Sequence, residues 1–229
     1  MVKVNVTELV IRLILTMAVF GQFLFLPAGT VDWPAAWIYL VLLFSFTIGI
    51  SIWLSRFNPD LLSERVSGIG RSGHKRWDKV FLLILLPVFV GWYVVMALDA
   101  VRFRWLEIPD WLQWIGAGVL LSSFYIFYLT FRENTYLSPA VRIQTDRGQT
   151  VVSTGPYKYV RHPMYAGFIL FTFGTALLLG SAYGLIGAMV LNALIAWRAL
   201  REEQVLKSEL PGYSEYMTRV KHRFVPYLL

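Results

Sequence analysis

Gly155-Pro156-Tyr157-Lys158-Tyr159-Val160-Arg161-His162-Pro163-Met164-Tyr165-Ala166-Gly167 opens the stretch that decides the fold. From Met164 the chain runs almost without charge through 164–180, turns at Gly180-Ser181-Ala182 and runs apolar again through 183–200. It then meets Glu202-Glu203-Gln204-Val205-Leu206 and, a little further on, Gly212-Tyr213-Ser214-Glu215-Tyr216. Two short apolar helices joined by small residues make a tight hairpin. That hairpin ties the densest cluster of polar and ring-bearing groups in the chain to a pair of adjacent carboxylates. Ionisable groups at a bilayer edge persist where they pair, meet water or bind something. The stretch therefore reads as a polar site held beside lipid.

Composition points the same way. Of 229 residues, 57% are hydrophobic and 15% are charged, against about 25% charged in soluble domains. The mean hydropathy is +0.57. The 9 Trp, 12 Tyr and 16 Phe suit aromatic belts at two membrane interfaces. With no cysteine there are no disulfides, thiolate metal sites or cysteine nucleophiles, and three histidines argue against a multi-histidine zinc site. No metal is expected. The net charge of +7 raises nucleic acid as a partner. The basic residues, however, fall in loops between apolar runs, which membrane topology explains and a nucleic-acid groove does not.

Spans of roughly 17–25 apolar residues are expected at 9–27, 35–55, 79–98, 111–131, 164–180 and 183–200. Arg12 near the start of the first can snorkel to the headgroups. The fold class is thus all-α and polytopic, with about six membrane helices. N-terminal helices occupy 1–131 and a C-terminal functional region 132–229, within one integrated membrane domain. Basic residues crowd loops 56–79 and 132–161 and the tail 198–223, whereas the opposite loops hold only Arg102 and Arg104 of the 21. Both termini and both long loops are therefore expected in the cytoplasm. Asn58-Pro59-Asp60 can start a short amphipathic helix, with Pro in its first turn and Asp60 favouring its dipole. Gly68, Gly70 and Gly73 would end it. Thr145 to Val152 can form a small β-hairpin around Asp146-Arg147-Gly148.

Several residues carry the chemistry. Pro163 suits a first helical turn and pushes His162 toward extended backbone. The His162 ring and the free N–H groups of that helix start could then meet an anion or a ribose. The plainer reading is an interfacial His and Tyr belt. Gly167, one turn on, permits close approach of a ligand or of a packing helix. Arg198 and Glu202 lie four apart and share a helix face, as a site pair or as a structural ion pair. Asn192 needs a partner within its apolar span, an interhelical hydrogen bond before a ligand. Leu206, Leu210, Tyr213 and Met217 follow a helical period and suggest a segment lying back on the membrane, broken at Pro211-Gly212. Tyr213 and Tyr216 can wall a pocket or anchor at the interface. His222 and Arg223 look like solvated tail residues, and 224–227 is expected to pack back over the core.

The 155–167 string, Glu202-Glu203 with Leu206, and Tyr213 with Tyr216 ahead of Arg223-Phe224 and Pro226 resemble the isoprenylcysteine carboxyl methyltransferase family. More broadly the chain is similar to membrane phospholipid methyltransferases. The match covers about the last third of the chain. Asn58-Pro59-Asp60-Leu61-Leu62, Arg65 and Trp77-Asp78 look like the bacterial branch of that family. The resemblance implies an S-adenosyl-L-methionine-dependent methyltransferase of a bacterial or archaeal cytoplasmic membrane. Its cofactor pocket would face the cytosol and its lipid-tailed acceptor would arrive from the bilayer. By position, Tyr157, His162, Pro163, Tyr165, Gly167, Glu203, Tyr213 and Tyr216 would bind the cofactor, and Arg198 and Glu202 would be catalytic. Steroid reductases share a similar His-Pro-x-Tyr-x-Gly start and use NADPH, but the acidic pair suits a cationic cofactor better than a 2′-phosphate. A non-catalytic lipid-binding protein is the third possibility.

Overall fold

The computed structural model describes residues 6–66 and 75–226. Helices stand at all six expected spans. They are α1 (Val6–Ala28), α2 (Pro34–Phe57), α4 (Arg76–Ala97), α5 (Asp110–Glu133), α6 (Pro163–Leu178) and α7 (Ala182–Glu209). The short helix after Asn58 is α3 (Pro59–Val66), and α8 (Tyr213–Arg219) follows α7. No strand occurs among the described residues, and the fold is all-α. The three glycines expected to end α3 lie outside the described residues, as do the side chain of Arg12 and all of Tyr227.

Among the described residues, four helices are long and apolar enough to cross a bilayer: α2, α4 with its π-helical extension to Phe103, α5 and α7. By contrast α6 has 16 residues, about 24 Å at 1.5 Å per residue, short of a ~30 Å hydrocarbon core. Its partner α7 has 28 residues and does not stop at 200 but runs to Glu209. The apolar run ends where Arg201, Glu202 and Glu203 begin, yet these residues favour a helix as strongly as the apolar ones before them. The acidic pair is therefore carried on a continuous helix that projects from the apolar layer.

Small residues set the hairpin against its neighbour. A Cβ on Gly174 would stand 2.7 Å from the Leu120 nitrogen, so α5 and α6 approach to backbone contact. The turn uses Gly180 at φ 77. Ser181 then caps α7, its hydroxyl accepting from the Gly184 N–H at 2.8 Å and donating to Asp99 at 2.7 Å. Asn192 finds the interhelical partner it needs, donating to the Thr172 hydroxyl at 2.8 Å. Outside, large apolar side chains stay bare, Leu83 at 70% and Trp114 at 69% exposure, as lipid-facing positions should.

One end of the bundle gathers the charge. Lys75 pairs with Glu209, Arg142 with Glu64, and Arg161 with Glu203. Loop 134–162, α3, the start of α4 and the end of α7 thus share that end. The loop holds no β-hairpin. A 3-10 turn at Thr145–Arg147 leads into Gly148 at φ 61. The Gln149 side chain, not a main-chain carbonyl, accepts from the Gln144 N–H at 2.7 Å, and Arg147 donates to the Thr135 carbonyl at 2.9 Å. The main-chain bond across this turn, from the Gln149 N–H to the Gln144 carbonyl at 3.1 Å, does not extend into a ladder, and side chains take the neighbouring bonds.

Candidate active site

At the charged end a cavity of about 240 Å³ is bounded by loop 134–152, the 3-10 turn Gly155–Lys158, the start of α6, the end of α7 and α8. Tyr157, His162, Pro163, Tyr165, Arg198, Glu202, Tyr213 and Tyr216 all line it. Residues separated by a hairpin in sequence thus meet in one chamber. Gly167 and Glu203 do not line it. A Cβ on Gly167 would stand 2.7 Å from the Phe127 ring, so this glycine seats α6 on α5.

Glu203 is 5% exposed and faces the other way. It accepts from Arg161 at 2.7 Å and from Arg223 at 3.0 Å, and its Oε1 lies 3.2 Å from the His162 Nε2. Main-chain bonds from Arg161 to His222 and from His162 to Arg223, both 2.9 Å, complete the knot. Arg223 is therefore no solvated tail residue. It anchors the C-terminal segment under the start of α6, where Phe224 meets the His162 ring.

One wall is a relay of charge. Arg198 donates from Nε and Nη2 to the two carboxylate oxygens of Asp78, at 2.7 and 3.1 Å. Its Nη1 donates to the Tyr165 hydroxyl at 2.7 Å, and Nη2 also reaches the Pro139 carbonyl at 3.1 Å. The Tyr165 hydroxyl then donates to Glu202 at 2.5 Å. Arg198 and Glu202 share a helix face as their spacing requires, but the ion-pair partner of Arg198 is Asp78 of α4, and Tyr165 stands between it and Glu202. A guanidinium carries five N–H donors in a fixed fork. The described contacts use four and leave one, on Nη1, for whatever enters the chamber.

Asp78 is fully buried and also accepts from the Val141 N–H at 2.6 Å, which fixes loop 134–142 over the site. The sequence offers Asp78 only beside Trp77 in the stretch resembling the bacterial branch, with no role attached. An acid in the first turn of a membrane helix was the available signal, since burial there demands a paired cation.

The phenols form the opposite wall. Tyr157 accepts from Asn134 at 2.8 Å, and Tyr216 donates to the Tyr157 carbonyl at 2.8 Å. Tyr213 is buried, and its hydroxyl has no partner among the described residues. Burial pushes all three phenols above their ordinary range; Glu203 and Glu202 add to it at Tyr213. They remain neutral donors at physiological pH. The apolar face of α8 packs with Leu210 and Val220 against Ile143 and Val151 of the loop. The C-terminal segment thus roofs the chamber. Arg142 pins the same loop to α3 through Glu64 at 3.0 and 3.1 Å.

Comparison with known proteins adds two findings. Residues 111–210 match the family model for phospholipid methyltransferases. The chain is also similar to two proteins named Protein-S-isoprenylcysteine O-methyltransferase. One, from Dictyostelium discoideum, is 23% identical over 66% of this chain and 59% of its own length. The other, from Schizosaccharomyces pombe, is 34% identical over 36% of each. The chain spans about three-fifths of the first relative and about a third of the second. The matched segment holds α5, the loop, the hairpin and the acidic pair, and over residues 111–210 the chain is similar to the phospholipid methyltransferase family.

Proposed function

We propose that the chain is an integral membrane methyltransferase that takes S-adenosyl-L-methionine and methylates a lipid-tailed acceptor of the isoprenylcysteine-carboxylate or related O/N type. The observation that carries this reading is the Asp78–Arg198–Tyr165–Glu202 relay on the wall of a chamber at the charged end of the bundle. When bound, the cofactor supplies an electrophilic methyl group on a cationic sulfur. The chamber fits such a group on two counts. The Glu202 carboxylate lines it with only one oxygen engaged by a described partner, a favourable neighbour for a cation. The buried Tyr213 hydroxyl is a polar atom still wanting a partner. Tyr157, His162, Tyr213 and Tyr216 would hold the cofactor, with Pro163 shaping the wall.

The chain's own groups then orient the acceptor. Arg198, held rigid by Asp78, offers its remaining Nη1 donor to an incoming oxygen nucleophile. For an amine acceptor, Glu202 is the group that takes the proton. Positioning of this kind accounts for much of the rate gain in displacement reactions. Loop 134–152 and α8 exclude bulk water.

Calorimetric titration of the nanodisc-embedded protein with S-adenosylhomocysteine and with NADPH tests the reading. Binding of the first and not the second is expected. Glu202→Gln should lower kcat at least tenfold on any acceptor found while leaving S-adenosylhomocysteine affinity within a few-fold. NADPH binding with no S-adenosylhomocysteine binding would move the assignment to a reductase.

On this reading the charged end faces the cytoplasm, supported by the basic residues crowded into its loops. The native chain has no cysteine, so a single cysteine at exposed Ser208 should react with an impermeant maleimide only after cells are permeabilised. One at Leu106, at the opposite end, should react from outside. Reversed labelling would invert the orientation.

A further inference from the structure

The cations around the chamber are not alike. Arg142 faces Glu64 and Asp146, Arg161 faces Glu203, and Arg198 faces Asp78. Arg65, on α3, also lines the chamber, yet no described acid faces it. Its contacts are a long hydrogen bond to the Leu137 carbonyl, 3.4 Å, and the face of Phe131, 4.8 Å from the guanidinium carbon to the ring centre. Burial with no opposing carboxylate pulls this guanidinium down to about 10, so it stays charged at neutral pH.

Its surroundings are apolar on one side and open on the other. Leu54, Leu61, Leu62 and Phe131 form a buried cluster beneath it, with Met164 packed against them. Met164 and Arg65 both border the chamber. Glu64, the neighbour of Arg65, accepts from Arg142 and Ser138. The amphipathic helix thus presents an unneutralised cation between a buried apolar cluster and the polar cavity. An Arg fork matches a carboxylate in shape as well as charge.

We propose that Arg65 is a specificity-determining residue of the site proposed above: it holds the anionic head of a lipid-tailed carboxylate within the chamber that it and Met164 border. This assignment rests on the methyltransferase reading for its meaning but not for its test. An amine-headed amphiphile would meet repulsion at the same place. The shared chemistry, a guanidinium with an anion, could also serve a membrane lipid phosphate, and the probes separate the two.

The experiment uses the full chain in phosphatidylcholine nanodiscs, with empty nanodiscs as the blank. Octanoate, octyl phosphate, octylammonium and octanol differ in head group alone, and each is titrated without cofactor. The wild-type protein should bind octanoate at least tenfold more tightly than octanol or octylammonium, and more tightly than octyl phosphate. Arg65→Gln should erase the octanoate preference, and Arg65→Lys should keep part of it. S-adenosylhomocysteine affinity should stay within a few-fold in both variants. Lack of an octanoate preference in the wild type overturns the proposal even if Arg65→Gln does not fold. So does a preference that survives Arg65→Gln, an Arg65-dependent preference for octyl phosphate, or a loss confined to S-adenosylhomocysteine. Failure of the wild type to bind S-adenosylhomocysteine would sink the methyltransferase reading and leave the octanoate result to stand or fall by itself.

Discussion

Asp78→Ala is expected to lower stability by about 3–5 kcal/mol, the scale for breaking a buried ion pair from one side. The loss has two sources. The Arg198 guanidinium stays in place, 8% exposed, with its directly bonded carboxylate gone and only Glu202, reached through Tyr165, as counter-charge. The Val141 N–H also loses its acceptor, which frees the loop over the chamber. Removing both charges separates structure from chemistry. Asp78→Leu with Arg198→Met leaves no stranded charge, and apolar replacements of a buried pair are often neutral or stabilising. The double variant should recover the part of the stability lost to the stranded charge, though not the Val141 bond, in thermal or denaturant unfolding, while remaining at least a hundredfold slower in turnover. Recovered turnover in the double variant would show that Arg198 only holds α7 to α4. A stability loss under 1 kcal/mol in Asp78→Ala would show that the pair is hydrated and not buried.

How far this site was legible in the sequence depends on which interaction is asked about. The spans were legible because lipid demands long apolar runs, and each run became a helix. The α3 helix was legible because Asn58-Pro59-Asp60 is local start chemistry. The Asn58 carboxamide does accept from the Leu61 N–H at 3.2 Å. Asp78 was not legible as a site residue because its partner lies 120 positions away, and no period or spacing announces a contact between α4 and α7. Loop 134–152 was misread for a related reason. Turn residues at Asp146-Arg147-Gly148 are compatible with a hairpin, but the bonds that decide the matter come from the side chains of Gln144, Gln149 and Arg147. Arg65 was quoted in a resemblance, yet its importance rests on which cations already have partners, a property of the folded ensemble of charges.

The acidic pair carries the sharpest test. Glu202 and Glu203 are adjacent, and successive helix residues point about 100° apart, so the two carboxylates cannot serve one group. Glu202 turns to Tyr165 and the chamber; Glu203 turns to Arg161, His162 and Arg223. Glu203→Ala leaves Arg161, 6% exposed, with only the Val220 and Lys221 carbonyls to satisfy it. A loss of about 3–5 kcal/mol is expected. It should be local in its first effect, because the knot joins the start of α6 to residues 220–224. Hydrogen exchange should therefore rise at 213–226 before it rises in α5 or α6, and cofactor affinity should fall because Tyr213 and Tyr216 lose their support. Glu202→Gln should do the opposite on every count, with unchanged exchange, near-normal stability and lost turnover. Matching behaviour of the two variants, in exchange and in kcat, would mean that both carboxylates act together and that the division of labour between them is wrong.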